Sequence, residues 1–185
     1  PESCGPATPA YEVKIVDPSS TKTLPKGATG ELWVRGGHVI KGYLNRPEAT
    51  EETIVDGWLR TGDMAKMDED DFIYIVDRIK DMVLRGGENI YCAEVESAIF
   101  DHPAVSECTV FGVPDDRLGE EVGAAVFVGN SKLDATELRE HCRNLIASFK
   151  LPKYVWFMDE PLPRNASGKF LKRELREKLS INDSV

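Results

Sequence analysis

"AKMDEDDFIYIVDRIKDMVLRGGENIYCAEVESAIFDHP", residues 65–103, changes its period midway. Its first part reads as a hairpin, with Asp68 to Asp71 as the turn and Phe72 to Val76 as the return strand. Its last part reads as a helix. Val95, Ala98 and Ile99 share one stripe at helical spacing, and Pro103, which cannot continue a helix, stops it. Between the two, near Asp77 to Asp81, the composition shifts from strand-rich to mixed. We place a domain boundary there, giving a β-rich segment over 1–79 and a mixed α/β segment over 80–185.

Working towards the N-terminus, strands and punctuation dominate. "YEVKIVD" sets Tyr11, Val13 and Ile15 on one face and Glu12 and Lys14 on the other. Pro18 and the Ser/Thr-rich stretch up to Gly27 form a loop. "GELWVRG" is a second strand, closed by Gly36 and Gly37. "NRPEATEETI" is a short helix, and "GWLRTGD" is a third strand ending in a turn. Short antiparallel strands with so little helix predict a small barrel or sheet.

Towards the C-terminus the elements alternate. "VSECTVFGV" and "GAAVFV" are strands separated by a polar loop around Pro114 to Glu121. Asp134 and Glu137 make a capping-box-like helix start. Leu138, His141, Cys142, Leu145 and Ile146 then form an amphipathic stripe. "YVWFM" is one more strand, and Phe170, Leu171, Leu175 and Leu179 mark a final helix. The predicted fold class is α+β: a small antiparallel β-barrel or sheet, then a compact mixed α/β domain.

Composition narrows the function classes. A chain of 185 residues can bury ~70% of its unfolded surface, and 41% hydrophobic with 30% charged residues reads as soluble and globular. The net charge of −9, with no compensating basic stretch, argues against nucleic-acid backbones as partners. Cys4, Cys92, Cys108 and Cys142 are widely spaced, with no C-x-x-C and no histidine nearby at ligand spacing. They read as reduced thiols rather than zinc ligands. No apolar run reaches the ~20 residues of a membrane helix, and no signal-peptide pattern opens the sequence. A cytoplasmic protein without a transmembrane segment is the expectation.

Three short stretches could carry chemistry. In "RTGD", residues 60–63, and "DRIKD", residues 77–81, Asp63 beside a glycine could accept both hydroxyls of a vicinal diol such as ribose. Arg78 on the next strand could reach the same sugar or a phosphate. The plainer alternative is a turn-capping aspartate and an arginine paired with a surface acid. In "VLRGGEN", residues 83–89, adjacent glycines permit positive φ or close approach of a ligand, though an ordinary turn before a helix also explains them. Lys169 in "NASGK" sits on a small, polar, flexible loop at a helix start, where acids are favoured, so a cation there needs another motive. His38, His102 and His141 show no nucleophile or metal spacing.

Taken in order, these motifs carry a resemblance. The run "GELWVRGGHVIKGYLNRPEAT", "DGWLRTGD", "DRIKDMVLRGGENIYCAEVE", "FKLPKYV" and "LPRNASGKFLKREL" resembles the adenylate-forming superfamily, and within it the acyl-CoA synthetases of fatty or aromatic acids. The resemblance spans essentially the whole chain and is to the C-terminal part of such an enzyme. It implies a two-step reaction: a carboxylate attacks the α-phosphate of ATP to give an acyl-adenylate, and coenzyme A then displaces AMP. It implies a lid domain that rotates between the steps. Asp63 and Arg78 would bind ATP or AMP, Lys80 would be the hinge, and Lys169 the catalytic lysine of adenylation. Gly87 would line the pantetheine tunnel. Phe149 and Lys153 match positions that hold the nucleotide end of coenzyme A in some relatives, with Leu151 standing where a basic residue is found.

Two residues depart from the family pattern. Asp71 ends the hairpin turn and Ala10 precedes the first strand, each where glycine is common. The family's phosphate loop and adenine motif are absent from the sequence, so the acyl pocket, most of the ATP site and the ligands of its Mg2+ belong to a missing N-terminal domain. The resemblance therefore implies an acid–thiol ligase as part of a longer chain, with ATP, coenzyme A and a carboxylic acid, expected to be fatty, as substrates. A module that loads a carrier-protein phosphopantetheine and a non-catalytic interaction domain are the alternatives.

Overall fold

The computed structural model describes residues 3–185. They form two compact units that meet between Lys80 and Asp81, within one 3₁₀ turn, Ile79–Asp81.

The first unit holds β1 (Tyr11–Val16), β2 (Thr29–Gly36), α1 (Pro47–Thr53), β3 (Ile54–Val55), β4 (Trp58–Met67) and β5 (Ile73–Arg78). All pairings are antiparallel. β1 pairs β2 and β2 pairs β4, while β3 takes the first half of β4 and β5 the second. Ile15, Leu32, Ala65 and Ile73 form the core on one face. The alternate residues on the other face build a ladder of cations and indoles. Lys14 lies over both Trp33 and Trp58, Arg35 over Trp58 and Arg60 over Trp33. That ladder explains how a polar strand face still buries Trp33.

The "RTGD" strand does not end at Asp63. β4 continues to Met67, and Thr61, Gly62 and Asp63 bulge opposite Leu32 alone, between the Arg60–Trp33 and Met64–Glu31 pairs. Gly62 supplies the positive φ of 74° that the bulge requires. At the hairpin tip, Asp71 itself takes a left-handed φ of 67°, while Asp68 Oδ1 accepts from the amides of Asp70 and Phe72. The backbone of that turn is kept and the aspartate carries its strain.

The second unit holds β6 (Val83–Arg85), β7 (Glu88–Ile90), α2 (Cys92–Phe100), β8 (Glu107–Asp115), β9 (Gly119–Phe127), α3 (Ala135–Arg143), β10 (Tyr154–Met158) and α4 (Lys172–Lys178). β9 is central. It pairs antiparallel with β8 along its whole length, parallel with β10, and with β6 at one position. Alternate strand residues feed two cores. Val110, Val122, Val126 and Val155 face Val95, Ile99 and Leu138 of α2 and α3. Phe111, Ala125 and Trp156 face Leu162 and Leu175. The architecture is α+β, as the composition implied.

Several local expectations change. "VLRGGEN" is a β-hairpin, with Gly86 and Gly87 at φ 59° and 91° as the turn between β6 and β7. Both positive angles match a type I′ turn, which suits the twist of a two-residue hairpin. The polar stretch from Pro114 to Glu121 is mostly strand: β8 runs to Asp115 and β9 begins at Gly119. Asp134 does cap α3, its Oδ1 accepting from the amides of Thr136 and Glu137. The helix stops at Arg143, however, so Leu145 lies exposed rather than on the buried stripe. α4 begins only at Lys172, leaving Phe170 and Leu171 before it.

Candidate functional site

In the first unit, the bulge aims Asp63 at its cross-strand partner Arg78. Arg78 Nε donates to Asp63 Oδ1 at 3.0 Å, and both side chains are partly exposed. Asp63 Oδ2 has no partner among the described residues, so the carboxylate keeps acceptor capacity beside a guanidinium. Behind it the bulge is locked. The Asp63 amide donates to Thr61 Oγ1, and that hydroxyl donates to the Leu32 carbonyl. The buried Glu31 accepts from Trp33 Nε1, Arg60 Nε and the Gly62 amide. Glu31 sits at the back of an open cleft of about 470 Å³, which Gly62, Arg78 and Lys80 also line. The structure thus brings Asp63, Arg78 and Lys80 to one place. Lys80 is exposed, within the Ile79–Asp81 turn.

In the second unit, Lys169 is exposed and outside α4. It does not stand at the helix start, so the helix dipole is not what it opposes. Its loop is not loose either. Asn165 Oδ1 accepts from the Ser167 amide, the Ser167 hydroxyl and the Lys169 amide. Asn165 N donates to the Lys169 carbonyl, and Gly168 at φ 82° closes the turn. Arg164 stacks on Phe170 at 4.0 Å, donates to the Gly168 carbonyl and pairs with Glu107 of β8. The loop is braced by these bonds, while the Lys169 ammonium has no ion pair among the described residues.

Gly87 is exposed at the β6–β7 turn, with nothing near the position a Cβ would take. Phe149 lies in the 3₁₀ turn Ser148–Lys150 and is 36% exposed, with Lys150 above its ring. Lys153 pairs with Asp115 at 3.1 Å and Glu121 at 3.5 Å. The hydrogen bond to Asp115 raises the Lys153 pKa well above the ordinary lysine value, and the same bond lowers that of Asp115. Lys153 is therefore a charged but already partnered cation. Among the described residues no three carboxylate, imidazole or thiol groups converge as a metal site.

Comparison with known proteins fits this arrangement. Residues 94–169 match the AMP-binding enzyme C-terminal domain, and residues 1–44 match the AMP-binding enzyme model. The chain belongs to the AMP-binding enzyme family. A feruloyl-CoA synthase from Amycolatopsis is 47% identical over 90% of this chain and 34% of its own length. A long-chain-fatty-acid–CoA ligase from Yersinia pestis is 45% identical over 95% of this chain and 31% of its own length. The crystal structure of ATP-bound MatB from Rhodopseudomonas palustris superposes with a TM-score of 0.89 at 40% identity, over 96% of this chain and 35% of that one. The chain spans about a third of the length of these AMP-binding relatives.

Glu31, Glu107 and Glu121 bond Gly62, Arg164 and the Arg85–Lys153 pair beside the candidate site residues and were not singled out by sequence reasoning. Each lies at a strand position where alternation alone gives a solvent-facing acid. The signal that could have found Glu31 is its place on one strand face with Trp33 and Arg35, two and four residues on.

Proposed function

We propose that this chain supplies the ribose-binding edge and the mobile lid of an AMP-forming acid–thiol ligase. Asp63 and Arg78 hold the ribose and phosphate region of ATP or AMP, and Lys80 is the pivot. Lys169 neutralises charge on the α-phosphate and carboxylate during adenylation. The turn at Gly87, with Phe149 and Lys153, receives coenzyme A in the second step.

The observation that carries this reading is the state of Lys169. In a protein of net charge −9, Lys169 pairs with no carboxylate among the described residues, on a loop braced by Asn165 and Arg164. An unpaired cation on a fixed support is pre-organised for an anion that arrives from outside, and charge developing on phosphate oxygens is such an anion. Because the lysine must also withdraw before a thiol attacks, its support has to move as a body rather than flex locally.

Coenzyme A is the preferred acceptor because the relatives at 45–47% identity are named CoA synthase and CoA ligase. Their acids differ, feruloyl in one and long-chain fatty in the other, so a fatty acid remains the proposal for this chain on the strength of the sequence resemblance. The 185-residue chain alone is proposed to be inactive, and adenylate formed from ATP and a carboxylic acid by this polypeptide would refute that. In the full-length protein, Lys169→Ala should slow adenylation by roughly 10²- to 10³-fold. Thioester formation from supplied acyl-adenylate should be nearly unchanged. Equal slowing of both half-reactions would remove Lys169 from the role given to it.

A further inference from the structure

The β6–β7 hairpin that carries Gly86 and Gly87 is weakly attached by its backbone. β6 shares only the Arg85–Gly119 pair with β9, supplemented by the Gly86 amide donating to the Leu118 carbonyl. Two successive glutamates of β9 do the rest. Glu120 accepts from the Leu84 amide at 2.9 Å and from Arg176 of α4. Glu121, on the opposite face, is almost wholly buried. Its two oxygens take a bidentate pair from Arg85, at 2.6 Å from Nε and 3.2 Å from Nη2. One of those oxygens also lies 3.5 Å from Lys153 Nζ.

A buried carboxylate needs partners, since an unpaired one costs far more than its contacts return. Here both partners are residues next to proposed coenzyme A contacts. Arg85 immediately precedes the glycine turn, and Lys153 is itself one of the contacts. Resting on the proposed second half-reaction, we propose that Glu121 is a positioning residue for the thiol acceptor. Its carboxylate fixes the Gly86–Gly87 turn and the Lys153 ammonium in one frame, so that pantetheine and the nucleotide end of coenzyme A meet a single rigid surface.

Charge alone gives the opposite expectation. Arg85 and Lys153 are balanced by Glu121 and Asp115, so the cluster is neutral. Removing the Glu121 charge leaves a net positive cluster, which by simple attraction should bind a polyanion more tightly. A positioning carboxylate predicts weaker binding instead, because Arg85 and Lys153 lose their common anchor. The two mechanisms therefore differ in sign.

The test is Glu121→Gln in the full-length protein, read as two half-reactions. We expect the coenzyme A KM to rise about tenfold, the scale of a lost hydrogen bond between charged groups. Adenylation, followed by pyrophosphate release, should stay within about twofold of the parent. Tighter coenzyme A binding, no change, or equal slowing of both half-reactions each overturns the positioning role. Should Glu121→Gln not fold, Glu121→Asp keeps the charge and shortens its reach, so charge alone predicts unchanged coenzyme A binding and a lost anchor predicts weaker binding. A parent enzyme that forms adenylate but no thioester with coenzyme A would sink the proposed acceptor itself, and this inference with it.

Discussion

Asp63 and Lys169 illustrate two ways a charged group can be held ready. Lys169 has no counter-ion among the described residues. Asp63 has a counter-ion, Arg78, on one oxygen only, and offers the other. The two should therefore fail differently when altered. Ribose is present in ATP, acyl-adenylate and AMP alike, so a residue that grips it serves both half-reactions. In the full-length protein, Asp63→Asn keeps shape and one acceptor but leaves Arg78 without its counter-charge. We expect about a tenfold weaker ATP interaction, together with a similar loss in thioester formation from supplied adenylate. Separate measurement of KM for ATP and for acyl-adenylate checks this, and a defect confined to ATP would contradict a ribose contact. Asp63 and Lys169 could be picked out because each stands beside a glycine, where a structural motive is weak, and Arg78 because it lies on the strand that follows Asp63. Glu31, Glu107 and Glu121 could not. Their importance comes from what lies beside them in space, on strands and loops distant in sequence, and a strand acid reads as solvated until its neighbours are known.

The elements repeat that division between local and non-local information. α2 and α3 follow from periodicity and from Pro103 and Asp134, all local signals. The parallel pairing of β10 with β9 does not, because it depends on the chain crossing over through α3. The β6–β7 hairpin lies between. Gly86-Gly87 is a two-residue turn signal, but strands of three residues give too little alternation to register as strands. That hairpin permits a clean measurement. At Gly87, φ is 91° and an added Cβ meets nothing within 4 Å. Gly87→Ala therefore introduces torsional strain and no clash, a cost of about 1 kcal/mol. Urea unfolding should show that small loss as a lower midpoint with an unchanged slope. In the full-length enzyme the same methyl would stand in the proposed pantetheine path. A fall in thioester formation well beyond the stability loss, with adenylation intact, is the expected result. A proportionate fall in both would make Gly87 a turn residue and nothing more.

At the scale of the whole molecule, the two units differ in how much core each owns. The first is built around Ile15, Leu32, Ala65 and Ile73, with the Lys14–Trp33–Trp58 ladder on its other face. The second has two cores, one on each face of its sheet. Stability grows with apolar area removed from water, so the first unit should unfold at lower denaturant and the transition should not be two-state. The chain contains its own reporters. With Trp156 of the second unit replaced by Phe, Trp33 and Trp58 report on the first unit, whereas the buried thiols Cys92, Cys108 and Cys142 lie in the second. In rising urea, the main tryptophan fluorescence change should precede alkylation of those three thiols, while exposed Cys4 reacts throughout. Coincident transitions would show a single cooperative unit. The thiols also set a pH limit. Burial pushes the Cys108 thiol up to about 12 and that of Cys142 up to about 11, from an ordinary thiol value of 9.0. Above that ordinary value the unfolded chain releases protons that the folded unit retains, so stability falls as pH rises. The second unit should therefore hold its stability up to about pH 9 and lose it progressively between there and about pH 12. Cys108→Ala with Cys142→Ala should flatten that alkaline loss, and an equally steep loss in the double variant would assign it to other groups.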